Sequence, residues 1–198
     1  MTKIGIIILA AGASKRLGQP KQLLTYQGKP LIQYITEVAI NSQCRPIVVV
    51  LGAYAEKIEP YLLNLDIHIV DNQQWSSGMA SSIGCGLNAI EAIAPDIEAL
   101  VLMLSDQPFV SLTLINQLIA AYQTTNCPIV ASEYSGILGV PALFHKTLFS
   151  ELALLQGDMG ARKIIRQHEA SCLSIPFSEG VIDIDTLEDY EKLLLNNS

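Results

Sequence analysis

Three uninterrupted apolar runs, Ile4-Gly5-Ile6-Ile7-Ile8-Leu9, Ile47-Val48-Val49-Val50-Leu51 and Ala99-Leu100-Val101-Leu102-Met103-Leu104, constrain this chain most. None alternates with polar residues. A strand without alternation must be covered on both faces, which a parallel sheet sandwiched between helices provides. Helix-period segments lie between them. Pro30 opens a helix to about Ile40 with Leu31, Ile32, Ile35, Val38 and Ala39 on one stripe. Ser81–Ile93, Leu112–Tyr122, Leu148–Leu155, Ala161–Gln167 and Leu187–Leu195 read as further helices, and Ala55–Leu63 as a short one interrupted by Pro60. Ile67–Val70, Ile129–Ser132, Ala142–Phe144, Leu173–Ile175 and Val181–Ile184 read as extended. The β–α rhythm predicts an α/β fold: a three-layer α/β/α sandwich around a mostly parallel, Rossmann-like sheet. One domain spanning 1–198 is expected, since no stretch resembles a linker or repeat. The segment from Tyr134 to Asp158 breaks the rhythm and is expected to form a substrate-side flap with a β-ribbon.

Composition narrows the function classes. Half of the residues are hydrophobic, yet no apolar run approaches the roughly 18 residues of a membrane span. The net charge of −7 argues against a nucleic-acid or membrane surface but allows a small anionic ligand at a local cluster of cations. Cys44, Cys85, Cys127 and Cys172 form no Cys-x-x-Cys, and His68, His145 and His168 no metal-ligand pair. Buried free thiols and a cytoplasmic setting are expected.

The first strand ends abruptly in small residues, and Gly12, Ser14, Lys15, Arg16, Gly18, Pro20 and Lys21 follow within ten positions. Small residues let backbone N–H groups approach a ligand, and the cations neutralise phosphate oxygens, so the loop suits a polyphosphate. It is neither a Walker A loop, since five residues separate Gly12 and Gly18 and Gln19 follows, nor a Gly-x-Gly-x-x-Gly fingerprint. A cleavable leader with Ala11-Gly12-Ala13 as its cleavage site is the other reading. Its apolar stretch would be short, would contain Gly5, and would leave Lys15, Arg16 and Lys21 unexplained.

Asp106 follows the run ending at Leu104 and would face the same crevice. A carboxylate opposite a triphosphate needs a cation between them, and Mg2+ suits one or two carboxylates plus phosphate oxygens. The alternative is a helix-capping or turn role before Leu112. Near the C-terminus, Asp183-Ile184-Asp185-Thr186-Leu187-Glu188-Asp189 combines a helix start with two alternating acids, of which only one can reach a metal. Trp75 to Ser82 is rich in small residues that would admit a base and ribose, or would simply start a helix.

The string Leu9-Ala10-Ala11-Gly12-x-Ser14-x-Arg16-x-Gly18-x-Pro20-Lys21-x-Leu23-Leu24 resembles the signature loop of the nucleotidyltransferases of molybdenum cofactor biosynthesis, a MobA-like family. The cytidylyl-transferring branch is the nearer match, because the guanylyl branch usually has Leu-Ala-Gly-Gly. Gly78-Met79, Asp106-Gln107-Pro108, Gly136 to Phe144, Gly157 to Arg162 and Asp183 to Asp189 resemble further family segments in order, with Leu187 in place of the usual Pro. The resemblance implies the nucleotide-diphospho-sugar transferase type of fold. It implies transfer of CMP from CTP to the phosphate of a molybdopterin-type cofactor, with Mg2+ and release of pyrophosphate. Lys21, Arg16 and Asp106 would be catalytic. Leu9, Ala10, Ala11, Gly12, Ala13, Ser14, Lys21, Gly78, Met79, Ala80 and Ser81 would bind nucleotide. Asp106 with Asp185, or next Asp183, would bind the metal, and Asp158 and Arg162 would lie on the acceptor side. The partners implied are CTP or another NTP, a phosphorylated pterin-type acceptor and a molybdoenzyme client. Guanylyl or sugar-phosphate transfer on the same fold, and a non-catalytic cofactor-binding chaperone, are the alternatives.

Overall fold

The computed structural model describes residues 3–14, 17–182, 184 and 186–195. Its elements in chain order are β1 (Ile4–Leu9), β2 (Thr25–Tyr26), β3 (Lys29–Pro30), α1 (Leu31–Ile40), β4 (Ile47–Leu51), α2 (Ala55–Ile58), β5 (His68–Asp71), α3 (Met79–Ile93), β6 (Ala99–Leu104), α4 (Leu112–Thr125), β7 (Ile129–Tyr134), β8 (Ile137–His145), α5 (Phe149–Ala153), α6 (Arg162–Gln167), β9 (Cys172–Pro176) and α7 (Leu187–Leu195). The β2–β3 pair is a separate small ribbon.

Seven strands form one sheet in the order β5-β4-β1-β6-β8-β7-β9. Only β8 runs against the rest, hydrogen-bonded antiparallel to both β6 and β7. The fold is therefore a three-layer α/β sandwich with a mostly parallel sheet. β1 is buried along its whole length, and its side chains alternate between two cores. Ile4, Ile6 and Ile8 pack with Leu31, Ile35, Leu114 and Leu118 of α1 and α4, whereas Ile7 and Leu9 pack with Ile83, Leu87, Phe149 and Ile164 on the α3, α5 and α6 side. Each side chain in such a run removes apolar area from water, worth about 1.5–3 kcal/mol per fully buried Ile or Leu. The continuous apolar pattern thus translates directly into a central strand.

Chain order reverses at β1. From β1 the chain moves out to β4 and β5, then returns to place β6 on the other flank of β1. Residues that follow β1 and β6 therefore meet over the carboxyl ends of adjacent strands, where open α/β sheets bind ligands.

Three expectations need correction. Residues 137–145 are no flap. They form β8 inside the sheet, because Ala142, Leu143 and Phe144 are fully buried apolar residues that fill both faces. The expected strand from Val181 does not start there: residues 178–181 wind into a helical turn, and Asp183 lies outside the described residues. Of the four free cysteines only Cys44 is fully buried. Its burial pushes the thiol up to about 11. No helix among the described residues is long and apolar enough to cross a membrane.

Candidate active site

A cavity of about 400 Å³ opens at the β1–β6 switch point. One wall is Leu9, Ala11, Gly12 and Ala13 after β1, with Lys21 and Gln22 behind them. The facing wall is Leu104, Ser105 and Asp106 at the end of β6. Trp75, Ser76, Gly78, Met79 and Ser82 close one side, joined by Asp158.

The loop after β1 is hydrogen-bonded in a one-sided way. Its four carbonyls are all occupied. Gln22 Nε2 donates to Ala10 O at 2.8 Å and to Gly12 O at 3.1 Å. Ala53 N donates to Ala11 O at 3.1 Å, and the Tyr54 hydroxyl to Ala13 O at 3.1 Å. The amide of Ala10 donates to Val50 O, but those of Ala11, Gly12, Ala13 and Ser14 meet no protein acceptor among the described residues. A segment with satisfied carbonyls and spare N–H groups, with the exposed Gly12 in its middle, is a donor-rich lining suited to an anion. Ser14 sits at φ +47°, a left-handed conformation that costs a non-glycine residue about 1–2 kcal/mol. Its Oγ compensates by accepting from the Lys21 amide at 3.1 Å.

Across the cavity, Lys21 Nζ donates to Asp106 Oδ2 in an ion pair. The two side chains are only 16% and 14% exposed, so solvent screens the pair less than a surface salt bridge. Asp106 Oδ1 is buried without a hydrogen-bond partner among the described residues. Asp106 does not cap the next helix, because Ser111 Oγ accepts the Leu114 amide there. Its carboxylate is therefore committed to the cavity. Gln107, fully buried, donates from Nε2 to Val140 O at 3.2 Å and ties this turn to β8.

The third side depends on one glycine. Gly78 adopts φ +105°, and a Cβ there would lie 2.4 Å from the carbonyl carbon and oxygen of Gly157 and 2.7 Å from Asp158 Oδ1. The amide of Ala80 donates to Gly157 O at 3.0 Å, which locks the Gly157–Asp158 turn onto the start of α3.

The cavity thus gathers Leu9, Ala11, Gly12, Ala13, Lys21, Gly78, Met79, Asp106 and Asp158 from the sequence-based set. Others stand behind it. Ala10 and Ala80 are buried, and Ser14 is turned to the Lys21 amide. Ser81 faces a separate groove, where its Oγ accepts from Asn72 Nδ2 at 2.8 Å and lies 2.8 Å from Gly78 O. Ser82, one residue on, lines the cavity instead. Arg162 belongs to another groove with Met159, Lys163 and Arg166, and its Nε is buried without a partner among the described residues. Gln22, Ser76, Ser82 and Ser105 were not singled out in the sequence. Ser76 and Ser82 do belong to the small-residue segment Trp75 to Ser82 that reads as admitting a base and ribose, whereas nothing local marks Gln22 or Ser105. Arg16, Asp183 and Asp185 lie outside the described residues. The amide of Ile184, between those two acids, donates to Asp106 O at 3.3 Å.

Residues 6–172 match the MobA-like NTP transferase domain. The chain belongs to the MobA-like NTP transferase family. It is 34% identical to nicotine blue oxidoreductase of Paenarthrobacter nicotinovorans, with 95% of each chain covered, and 24% identical to molybdenum cofactor cytidylyltransferase of Escherichia coli strain K12, with 96% and 95% covered. The crystal structure of Rv0371c from Mycobacterium tuberculosis H37Rv superimposes with a TM-score of 0.85 at 30% identity, covering 98% of each chain. That protein has also been crystallised in complex with manganese; this second structure has a TM-score of 0.79 at 28% identity over 98% of this chain and 99% of that one.

In this MobA-like chain the residues fit a divalent cation. Asp106, whose Oδ1 has no hydrogen-bond partner among the described residues, lines the same cavity as the loop with spare amides. Hard cations such as Mg2+ and Mn2+ favour such a carboxylate shared with phosphate oxygens.

Proposed function

We propose that the protein is a cytoplasmic, Mg2+-dependent cytidylyltransferase that moves CMP from CTP to the terminal phosphate of a molybdopterin-type cofactor and releases pyrophosphate. The observation that supports this best is the pairing, within one cavity, of a donor-only loop with the Lys21–Asp106 couple. The loop amides of residues 11–14 would bind triphosphate oxygens. Lys21, which lines the same cavity, would set its ammonium against the phosphates, where charge builds up as pyrophosphate departs. Arg16 would add a second cation. Asp106, with Asp185 or Asp183, would hold Mg2+, which supplies charge neutralisation between carboxylate and phosphate when bound. The acceptor phosphate would attack the α-phosphorus in line from the Asp158 and Arg162 side. No protein nucleophile is required; positioning and charge stabilisation supply the rate. Gly78 and Met79 would border the base and ribose.

The test is pyrophosphate release from CTP, GTP or ATP with Mg2+ and purified molybdopterin cofactor. CTP-dependent release with formation of a dinucleotide cofactor supports the reading. A preference for GTP moves it to guanylyl transfer, and nucleotide binding without release moves it to a carrier role. A second reading, redox chemistry on the same fold, is favoured by the 34% identity to a protein named as an oxidoreductase. Oxidation of a reduced nicotinamide by a dye substrate, with no effect of NTP, would select it.

A further inference from the structure

Gln22 is the least expected member of the cavity. It is a neutral amide buried to 1% exposure, one residue after the lysine that reaches Asp106. Its two donor hydrogens go to Ala10 O and Gly12 O, and its Oε1 lies 3.5 Å from the Ser14 hydroxyl. Tyr54 acts at the other end of the same loop, through Ala13 O. Each peptide unit points its C=O and the following N–H in opposite directions. Fixing the carbonyls of residues 10, 12 and 13 therefore fixes the amides of residues 11, 13 and 14 to face away from Gln22 and Tyr54.

We infer that Gln22, assisted by Tyr54, is a positioning residue that holds the 10–14 segment as a hydrogen-bond donor surface for polyphosphate. This inference rests on the nucleotide-binding reading above and assigns to it a residue that touches no phosphate through charge. The cause is desolvation. An unpaired buried carbonyl would either turn into the cavity, where it repels phosphate oxygens, or remain unsatisfied. Gln suits the position because it offers two donors and an acceptor without charge. Glu would set a carboxylate against two carbonyls, and Met would leave both unpaired.

The test uses the full chain with Mg2+ and either CTP or inorganic tripolyphosphate as the calorimetric binding probe, and reads KM and kcat of pyrophosphate release from CTP with purified molybdopterin cofactor as the acceptor. Gln22→Met and Gln22→Glu are expected to raise the Kd for both probes and the KM for nucleotide tenfold or more, well beyond any change in kcat. Tyr54→Phe, which deletes one hydroxyl, is expected to raise them about threefold. Thr36→Val is the stability control. Thr36 is buried in α1, away from the cavity, and its Oγ1 donates to Ile32 O at 2.7 Å, so its loss lowers the melting temperature with KM unchanged. Gln22 variants that melt lower but bind both probes like the wild type overturn the inference. If Gln22→Met and Gln22→Glu do not fold, wild-type affinity in Tyr54→Phe overturns it. A wild-type protein that binds neither probe instead overturns the nucleotide-binding reading itself.

Discussion

Lys21 and Asp106, 85 positions apart in sequence, form an ion pair across the mouth of the β1–β6 switch point. The lysine leaves the loop after the first strand and the aspartate ends the turn after β6, so the pair exists only because these two strands are neighbours. It brings a cation and a half-orphaned carboxylate into one cavity.

Removing the cation should separate catalysis from folding. Lys21→Ala is expected to lower pyrophosphate release about 100-fold, the typical cost of deleting a group that stabilises transition-state charge. It should cost about 1–3 kcal/mol of stability, because Asp106 loses its partner in a site that is largely desolvated. Single-turnover kinetics and urea unfolding check the two effects; an unchanged rate would exclude the proposed role.

Asp106→Asn keeps shape and removes charge. In the wild type, Mg2+ or Mn2+ together with CTP should raise the melting temperature by mass action. The variant should still fold but lose the metal-dependent part of that shift. Thermal melts with each metal, with and without nucleotide, read this directly.

Two glycines in one region should respond oppositely. Gly78→Ala introduces a Cβ against the Gly157 backbone at φ +105°, combining overpacking with a left-handed penalty. A loss of about 2–4 kcal/mol is expected, with weaker nucleotide binding as the Asp158 turn shifts. Gly84 lies in α3, and a methyl group added there would meet nothing within 4 Å. Gly84→Ala should stabilise by about 0.5–1 kcal/mol, since alanine loses less backbone freedom in a helix. Denaturant midpoints at constant m-value distinguish the two.

Cys44 should set an alkaline limb on stability. Burial raises its thiol from 9.0 to about 11 in the folded chain. The folded state thus retains a proton that the unfolded state releases, and stability falls as pH rises from about 9 to about 11. Cys172 shifts in the same direction, to about 11. Cys44→Ala should flatten that limb in urea titrations against pH, and native Cys44 should resist thiol reagents at pH 8. A limb of unchanged slope in the variant would assign it to other groups.

Much of the candidate-site loop is readable in one dimension because its chemistry is local. Ala11, Gly12, Ala13 and Lys21 follow a strand whose identity its own side chains declare, and Asp106 follows another. Met79 and Asp158 were legible only through family likeness, since nothing local distinguishes them from a helix start and a turn. Thr186 and Asp189 show the bland reading holding as well: they form a reciprocal pair at the start of α7, with the Asp189 carboxylate accepting from the Thr186 amide at 2.9 Å.

What the chain's own order of residues determined was the set of central strands and the character of the loops after them. Continuous apolar runs have one stable solution, burial on both faces, whatever their neighbours. Only the tertiary structure decided which loops meet, that β8 enters the sheet between β6 and β7 in reverse direction, that Ser82 rather than Ser81 faces the cavity, and that Gln22 is buried against two carbonyls. Each of these depends on contacts between residues far apart in the chain or on a rotation of one helical position. Such choices are made by the packing free energy of the whole molecule and leave no periodic trace in the sequence.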